Sequence, residues 1–171
     1  MSEREAIRIV RVGREDLPKL EDFLRKDATQ AHPDDPAAPQ AFVDGVRKSL
    51  DSLDFLSSDS HWLLAAEIDG DYVGYLNAVR IHKADGRIAV LYVDELMVLN
   101  VFRRRGVATA LWEEVRRLAR EIGAWRIRVT VDPDNDGARQ FYRSVGLRES
   151  PVVLCQQQPE ELPNRTAPGD A

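Results

Sequence analysis

The sequence predicts an α/β fold in which a pair of helices precedes a β-meander and a strand–helix–strand unit. Three observations predict it. Apolar residues recur at helical spacing over residues 17–28 and 40–50. Two β-rich runs, residues 62–68 and 72–80, flank Asp69-Gly70-Asp71, and Asp-Gly readily supplies the positive φ of a hairpin turn. Over residues 87–131 a β-rich run, an amphipathic helical period and a strictly alternating run follow one another.

Residues 7–12 place Ile7 and Ile9 among Arg8 and Arg11 in a short β-rich run, expected at a sheet edge or end. Glu15, Asp16 and Pro18 then form a helix start, and Leu17, Leu20, Phe23 and Leu24 give it an apolar stripe running to about Ala28. The prolines of residues 32–39 remove donors and restrict their predecessors, so a loop is expected there. Phe42, Val43, Val46 and Leu50 predict a second helix despite Gly45. After the hairpin, Ala84-Asp85-Gly86 marks a turn into a third β-rich run over residues 87–98.

Val107, Leu111, Val115, Leu118 and Ile122 recur at steps of four, four, three and four, which is one face of a helix that Gly123 is suited to end. Over residues 125–131, Ile127, Val129 and Val131 alternate with Arg126, Arg128 and Thr130, predicting a strand with one buried face. Asp136 can cap a short helix carrying Ala138, Phe141, Tyr142 and Val145, with Gly146 at its end. Residues 147–155 are expected to add a last strand interrupted at Pro151, with Cys155 as a buried small hydrophobe. Residues 156–171 are polar and Pro-rich and read as a flexible tail, so one domain is expected over residues 1–155.

Composition narrows the function. A net charge of −5 argues against a large phosphate-neutralising nucleic-acid footprint. Apolar runs such as residues 89–93 fall far short of the roughly 20 residues of a membrane span, and the acidic N-terminus has no signal-like apolar region. A cytoplasmic protein is the expectation. One cysteine and three scattered histidines, His32, His61 and His82, offer no metal-ligand spacing.

The chemistry concentrates where residues 91–98 lead into Arg103-Arg104-Arg105-Gly106-Val107-Ala108-Thr109. A strand feeding a glycine-bearing turn that opens a helix aims backbone N–H groups and the positive dipole end at one point, which suits an anion. Three arginines before a helix also suit a plain solvated turn. No Gly-Lys-Ser/Thr follows and the three glycines of a dinucleotide fingerprint are missing, so ATP and NAD are poor candidates.

Arg103-x-x-Gly106-x-Ala108 resembles the acyl-CoA motif Q/R-x-x-G-x-G/A of the GNAT superfamily of N-acetyltransferases, and Leu96-Met97-Val98 resembles the strand before it. A second stretch, with Asn135, Ala138, Phe141, Tyr142, Gly146 and Leu147, is similar to the family signature N-x-x-A-x-x-F-Y-x-x-x-G-F, departing only at Leu147. The strong likeness covers residues 72–147.

The resemblance implies a mixed, mostly antiparallel central sheet, flanked by helices, whose two central parallel strands splay apart to admit acetyl-CoA as cosubstrate. It further implies that the pyrophosphate meets the amides of Arg105, Gly106, Val107, Ala108 and Thr109, beside Arg103 and Arg104. The pantetheine would pair along Met97 and Val98, with Asn135 near the CoA arm. Tyr142 becomes the candidate acid for the departing thiolate, against the alternative of a half-buried aromatic beside Phe141. Glu95 is the candidate base and Asp94 its fallback, against the alternative of ordinary solvated strand acids. Strand alternation lets only one of the two face the cleft unless a bulge intervenes. Asn135 also suits an Asx-type turn after Asp132-Pro133.

The expected activity is direct acetyl transfer to a primary amine of a small molecule or peptide, without a Cys155 intermediate. The alternative is a non-catalytic acyl-CoA-binding or sensing module on the same fold. Aminoglycosides, polyamines, amino acids, small toxins and protein N-termini are all open as acceptors, and a homodimer is open as an assembly. Residues 17–50 would shape the acceptor side, with Tyr75, Asn77 and His82 as additional candidates.

Overall fold

The computed structural model describes residues 6–52 and 55–155, which fall into two compact units divided between Asn135 and Asp136. The first unit carries β1 (Arg8–Arg11), α1 (Leu17–Ala31), α2 (Ala38–Ser52), β2 (His61–Ile68), β3 (Asp71–His82), β4 (Ala89–Val98), α3 (Val107–Glu121) and β5 (Ala124–Val129). The second carries α4 (Asp136–Ser144). The flexible tail expected over residues 156–171 lies outside the described residues.

The strands form one mixed sheet in the order β1-β2-β3-β4-β5. Its first three pairings are antiparallel and β4–β5 is parallel. As expected, β1 lies at an edge, and Val12 extends its pairing by donating its N–H to Leu63 O at 2.8 Å. The Asp69-Gly70 turn has positive φ at both residues, 51° and 91°, as the hairpin requires.

Successive residues of a strand point to opposite faces, and the two faces of this sheet are covered by different helices. On one face Tyr75 meets Phe23 of α1 edge-on, at 5.5 Å between ring centroids. Leu20, Leu24, Val43, Leu50, Leu63 and Ala65 belong to the same core. On the other face Gly74 approaches Val107 at the start of α3, which lies against β2, β3, β4 and β5. The predicted stripe of α3 is buried at Val107, Leu111, Val115 and Leu118, joined by Trp112. Each such side chain contributes roughly 1.5–3 kcal/mol through removal from water.

Element ends shift for local reasons. Ala38 and Pro39 belong to the first turn of α2, where a missing proline N–H leaves no helical bond unmade. Gly123, at φ 64°, follows Ile122 at the C-terminus of α3 and donates its N–H to Arg120 O. Among the described residues one charged residue is buried, Glu67 on β2, and it is paired twice: Lys19 Nζ at 2.9 Å and Arg8 Nη2 at 2.7 Å. Those two cations hold its carboxyl below the usual carboxylate range.

In the second unit α4 ends in a Schellman arrangement. Leu147 N–H donates to Tyr142 O at 2.9 Å, Gly146 N–H donates to Arg143 O at 3.0 Å, and Gly146 has φ 89°. Arg139 and Arg143 both hold Glu149. The last strand expected over residues 147–155 is not formed. Pro151 has no ladder donor, and the consecutive Val152, Val153 and Leu154 give no one-sided alternation and stand exposed. Cys155 is likewise exposed rather than buried, because no helix or strand carries it inward.

Candidate functional site

The site grows from the far half of β4. Its parallel pairing with β5 runs from Ala89↔Ala124 to Val93↔Val129 and stops there, while β4 continues to Val98. The β5-side edge of residues 94–98 is therefore open among the described residues. Along it Leu96 and Met97 are only half-buried and Asp94 and Glu95 are exposed. Open strand edges carry unpaired N–H and C=O groups that an extended ligand can use.

On its other side β4 pairs with β3, and the register there is interrupted at the two acids. Asn77 pairs with Glu95 and Ala78 with Val93, leaving Asp94 as the extra residue of a β-bulge. The bulge breaks the alternation, and Asp94 and Glu95 both line one cavity of about 540 Å³. Tyr75 and Asn77 line it too, beneath α1 and α2. His82, the third acceptor-side candidate, is exposed at the end of β3 and is not part of that wall. The Tyr75 phenol donates a hydrogen bond to Glu95 Oε2. Burial, and then the Glu95 charge, push Tyr75 well above the usual phenol range, so it stays a donor.

Beyond β4, a short 3₁₀ turn at Asn100–Phe102 leads into the arginine loop. Arg103 Nε donates to Val98 O at 3.1 Å, which ties the loop to the end of the strand. Arg104 takes φ 64° and Gly106 φ 92° at the N-cap of α3. The first helical bond is Ala110 N–H to Gly106 O, so the amides of Val107, Ala108 and Thr109 have no intrahelical acceptor. Arg103, Arg104, Arg105, Gly106 and Thr109 are exposed, and the Arg105 guanidinium sits over Phe102 at 5.4 Å. First-turn amides without helical acceptors, the positive end of a helix dipole and three exposed arginines are an arrangement suited to an anion.

Gly74 is a residue that the sequence reading passed over, although a glycine inside a strand signals close backbone approach. A Cβ there would lie 2.9 Å from Met97 O and 2.9 Å from Val107 Cγ1, wedging β3 against both β4 and the start of α3. Gly74→Ala is expected to cost roughly 1–3 kcal/mol, the usual penalty of overpacking, because the Met97 carbonyl is backbone and cannot yield. Urea unfolding checks it; an unchanged midpoint contradicts the contact.

Asn135 closes the first unit in a turn, its N–H donating to Asp132 O at 2.9 Å while Asp134 N–H donates to Asp132 Oδ1 at 2.9 Å. The Asx-type turn is thus made by Asp132. In the second unit Tyr142 is buried on α4, edge-on to Phe141 at 5.2 Å. Burial pushes its phenol up to about 12.

The residues present fit an acyl-CoA ligand: an open strand edge, then an amide-rich turn held at positive φ, with Leu96 and Met97 half-buried between them. Residues 17–147 match the acetyltransferase (GNAT) family. An uncharacterized N-acetyltransferase of Mycobacterium tuberculosis is 30% identical over 108 residues, 63% of this chain, and the chain spans 66% of that relative's length. An aminoglycoside acetyltransferase from an uncultured soil metagenomic sample superimposes with TM-score 0.75 at 26% identity, covering 90% of this chain and 99% of its own. The aminoglycoside N-acetyltransferase AAC(6')-Iy in complex with CoA superimposes with TM-score 0.70 at 21% identity, covering 93% and 99%.

Proposed function

The chain belongs to the GNAT acetyltransferase family, and on that premise we propose that it transfers an acetyl group from acetyl-CoA to a primary amine of a small molecule, by direct attack in a ternary complex. One observation carries the proposal: β4 loses its β5 partner after Val93, and the same strand then leads into the positive-φ turn that opens α3. The small-molecule acceptor is supported by the aminoglycoside acetyltransferases whose folds match.

When bound, acetyl-CoA supplies an activated thioester carbonyl. In this reading the amides of Arg105 to Thr109 and the arginines Arg103 and Arg104 bind its pyrophosphate, and the backbone of Met97 and Val98 aligns its pantetheine. Asn135 contributes beside the CoA arm. Glu95, directly or through a water, takes the proton that an ammonium must lose before its nitrogen attacks, with Asp94 beside it as the alternative acceptor. As the carbon–nitrogen bond forms and the carbon–sulfur bond breaks, Tyr142 gives its phenolic proton to the departing sulfur, and the second proton that the nitrogen loses on becoming an amide restores the phenol.

Glu95→Gln tests the base. The amide keeps size and an acceptor for Tyr75 but cannot take up a proton, so the loss of turnover should be greatest at low pH, where more of the acceptor is protonated. A pH series of kcat at saturating acetyl-CoA, with one identified amine, measures it. A loss independent of pH would assign Glu95 to positioning instead.

A further inference from the structure

The cavity under α1 and α2 has two chemically distinct ends, and neither is assigned by the acetyltransferase fold itself. At one end stand Asp94, Glu95 and Asn77, with Asn77 and Glu95 facing each other across β3 and β4. Asn77 Oδ1 is buried and has no hydrogen-bond partner among the described residues. Three acceptor side chains on one wall equal the three N–H donors of a primary ammonium. An orphaned buried acceptor is costly until a ligand supplies its donor.

The other end is apolar. Leu20 and Leu24 of α1, Leu63 of β2, and Phe42, Val46 and Leu50 of α2 line it. Phe42 is 39% exposed, which is unusual for a large aromatic with packing available, and it stands at the cavity wall. The remaining hydroxyls of the lining are already engaged: Ser49 Oγ donates to Gly45 O, and Tyr75 donates to Glu95. A ligand with many hydroxyls and several charges would leave most of them desolvated against leucine and valine, at a cost that only hydrogen bonds could offset.

We propose that the acceptor is an amphiphilic monoamine, a single primary ammonium on an aryl or alkyl body, held by Asp94, Glu95 and Asn77 at its head and by the α1–α2 wall along its body. The inference rests on the acetyltransferase reading and narrows it away from polycationic amino sugars. The size agrees, since about 540 Å³ lies within the range of small-molecule pockets.

Gly45 supplies the test. It faces the cavity on α2, and a Cβ there meets nothing within 4 Å, so a larger residue fits the helix without strain and suits it better than glycine. The wild-type and Gly45→Leu proteins are compared with phenethylamine, ethanolamine and neamine, by kcat/KM and by calorimetric binding in the presence of CoA. Phenethylamine should exceed the other two by roughly tenfold or more, the usual discrimination of an apolar pocket. Gly45→Leu should raise its KM by a similar factor while CoA protects both proteins equally against heat. Preference for neamine overturns the inference and leaves the acetyltransferase reading standing, as does a folded Gly45→Leu protein with unchanged phenethylamine kinetics. If no amine is turned over, calorimetry decides: phenethylamine binding that Gly45→Leu weakens upholds the cavity's chemistry and rejects catalysis, whereas no binding of phenethylamine rejects the inference itself.

Discussion

Replacing Tyr142 by Phe is expected to slow acetyl transfer by ~10²–10⁴, the usual worth of general-acid assistance, while leaving cofactor binding intact. Only a hydroxyl is removed. The ring still meets Phe141 edge-on, and the bond from Leu147 N–H to the Tyr142 carbonyl is backbone, so the Schellman end of α4 is unaffected. The phenol is pushed up to about 12 by burial, so its proton is retained well above the ordinary tyrosine value. The sign follows directly: the acid is competent when protonated, so loss of activity through this group should begin only on the approach to that raised value, not at the ordinary tyrosine pKa of about 10. Steady-state rates across an alkaline pH series, with saturating acetyl-CoA and one identified amine, check both statements. Wild-type rates in the folded variant would reject the role, and loss of cofactor binding would assign Tyr142 to packing.

The second large effect is at Gly106. Gly106→Glu is expected to abolish the thermal protection given by CoA, which at a hundredfold excess over Kd would otherwise be about 2.7 kcal/mol. Two causes act together. The residue sits at φ 92° on the N-cap of α3, where an L side chain is strained by roughly 1–2 kcal/mol, and the added carboxylate opposes the anion at the amides. Space is not the cause, since the nearest atom to a Cβ there is Ile7 Cδ1 at 4.0 Å. Gly106→Asn separates the two effects, because asparagine tolerates left-handed backbone and brings no charge; it should retain more of the protection than Gly106→Ala. Equal protection in wild type and a folded Gly106→Glu protein would move the phosphate site elsewhere.

The parts of this architecture that local chemistry dictates were legible in the sequence. Asp69-Gly70 announces itself through a required φ, the stripe of α3 through its period and Gly106 as the glycine of a turn that opens a helix, and the elements they define are present. What depends on register was not legible. Asp94 and Glu95 are adjacent on a strand, and period-two alternation alone sends them to opposite faces; only the pairing of Asn77 with Glu95 and of Ala78 with Val93 turns both toward one cavity. Residues 17–50 were expected on the acceptor side with Tyr75 and Asn77, but distance along the chain hid which of them meet the acids of β4. Phe42 and Val46 look like packing residues of α2 from spacing alone, yet they line a cavity whose acids come from β4, some fifty residues later in the chain. Gly74 signalled close approach without naming Met97 and Val107 as its neighbours. Residues 147–155 carried β-forming types, but composition does not supply a ladder, and Pro151 withholds a donor from one.

The central claim is that this chain joins an acetyl group to a primary amine, and one measurement addresses it most directly. The purified protein is incubated with acetyl-CoA and a panel of primary amines, and free CoA thiol and acetylated amine are quantified together, the latter by mass spectrometry. The account predicts enzyme-dependent release of thiol in equal amount to an N-acetylated product for at least one amine. A folded protein that binds CoA, is protected by it, and forms neither thiol nor product with any amine would contradict the account and identify an acyl-CoA-binding or sensing module instead.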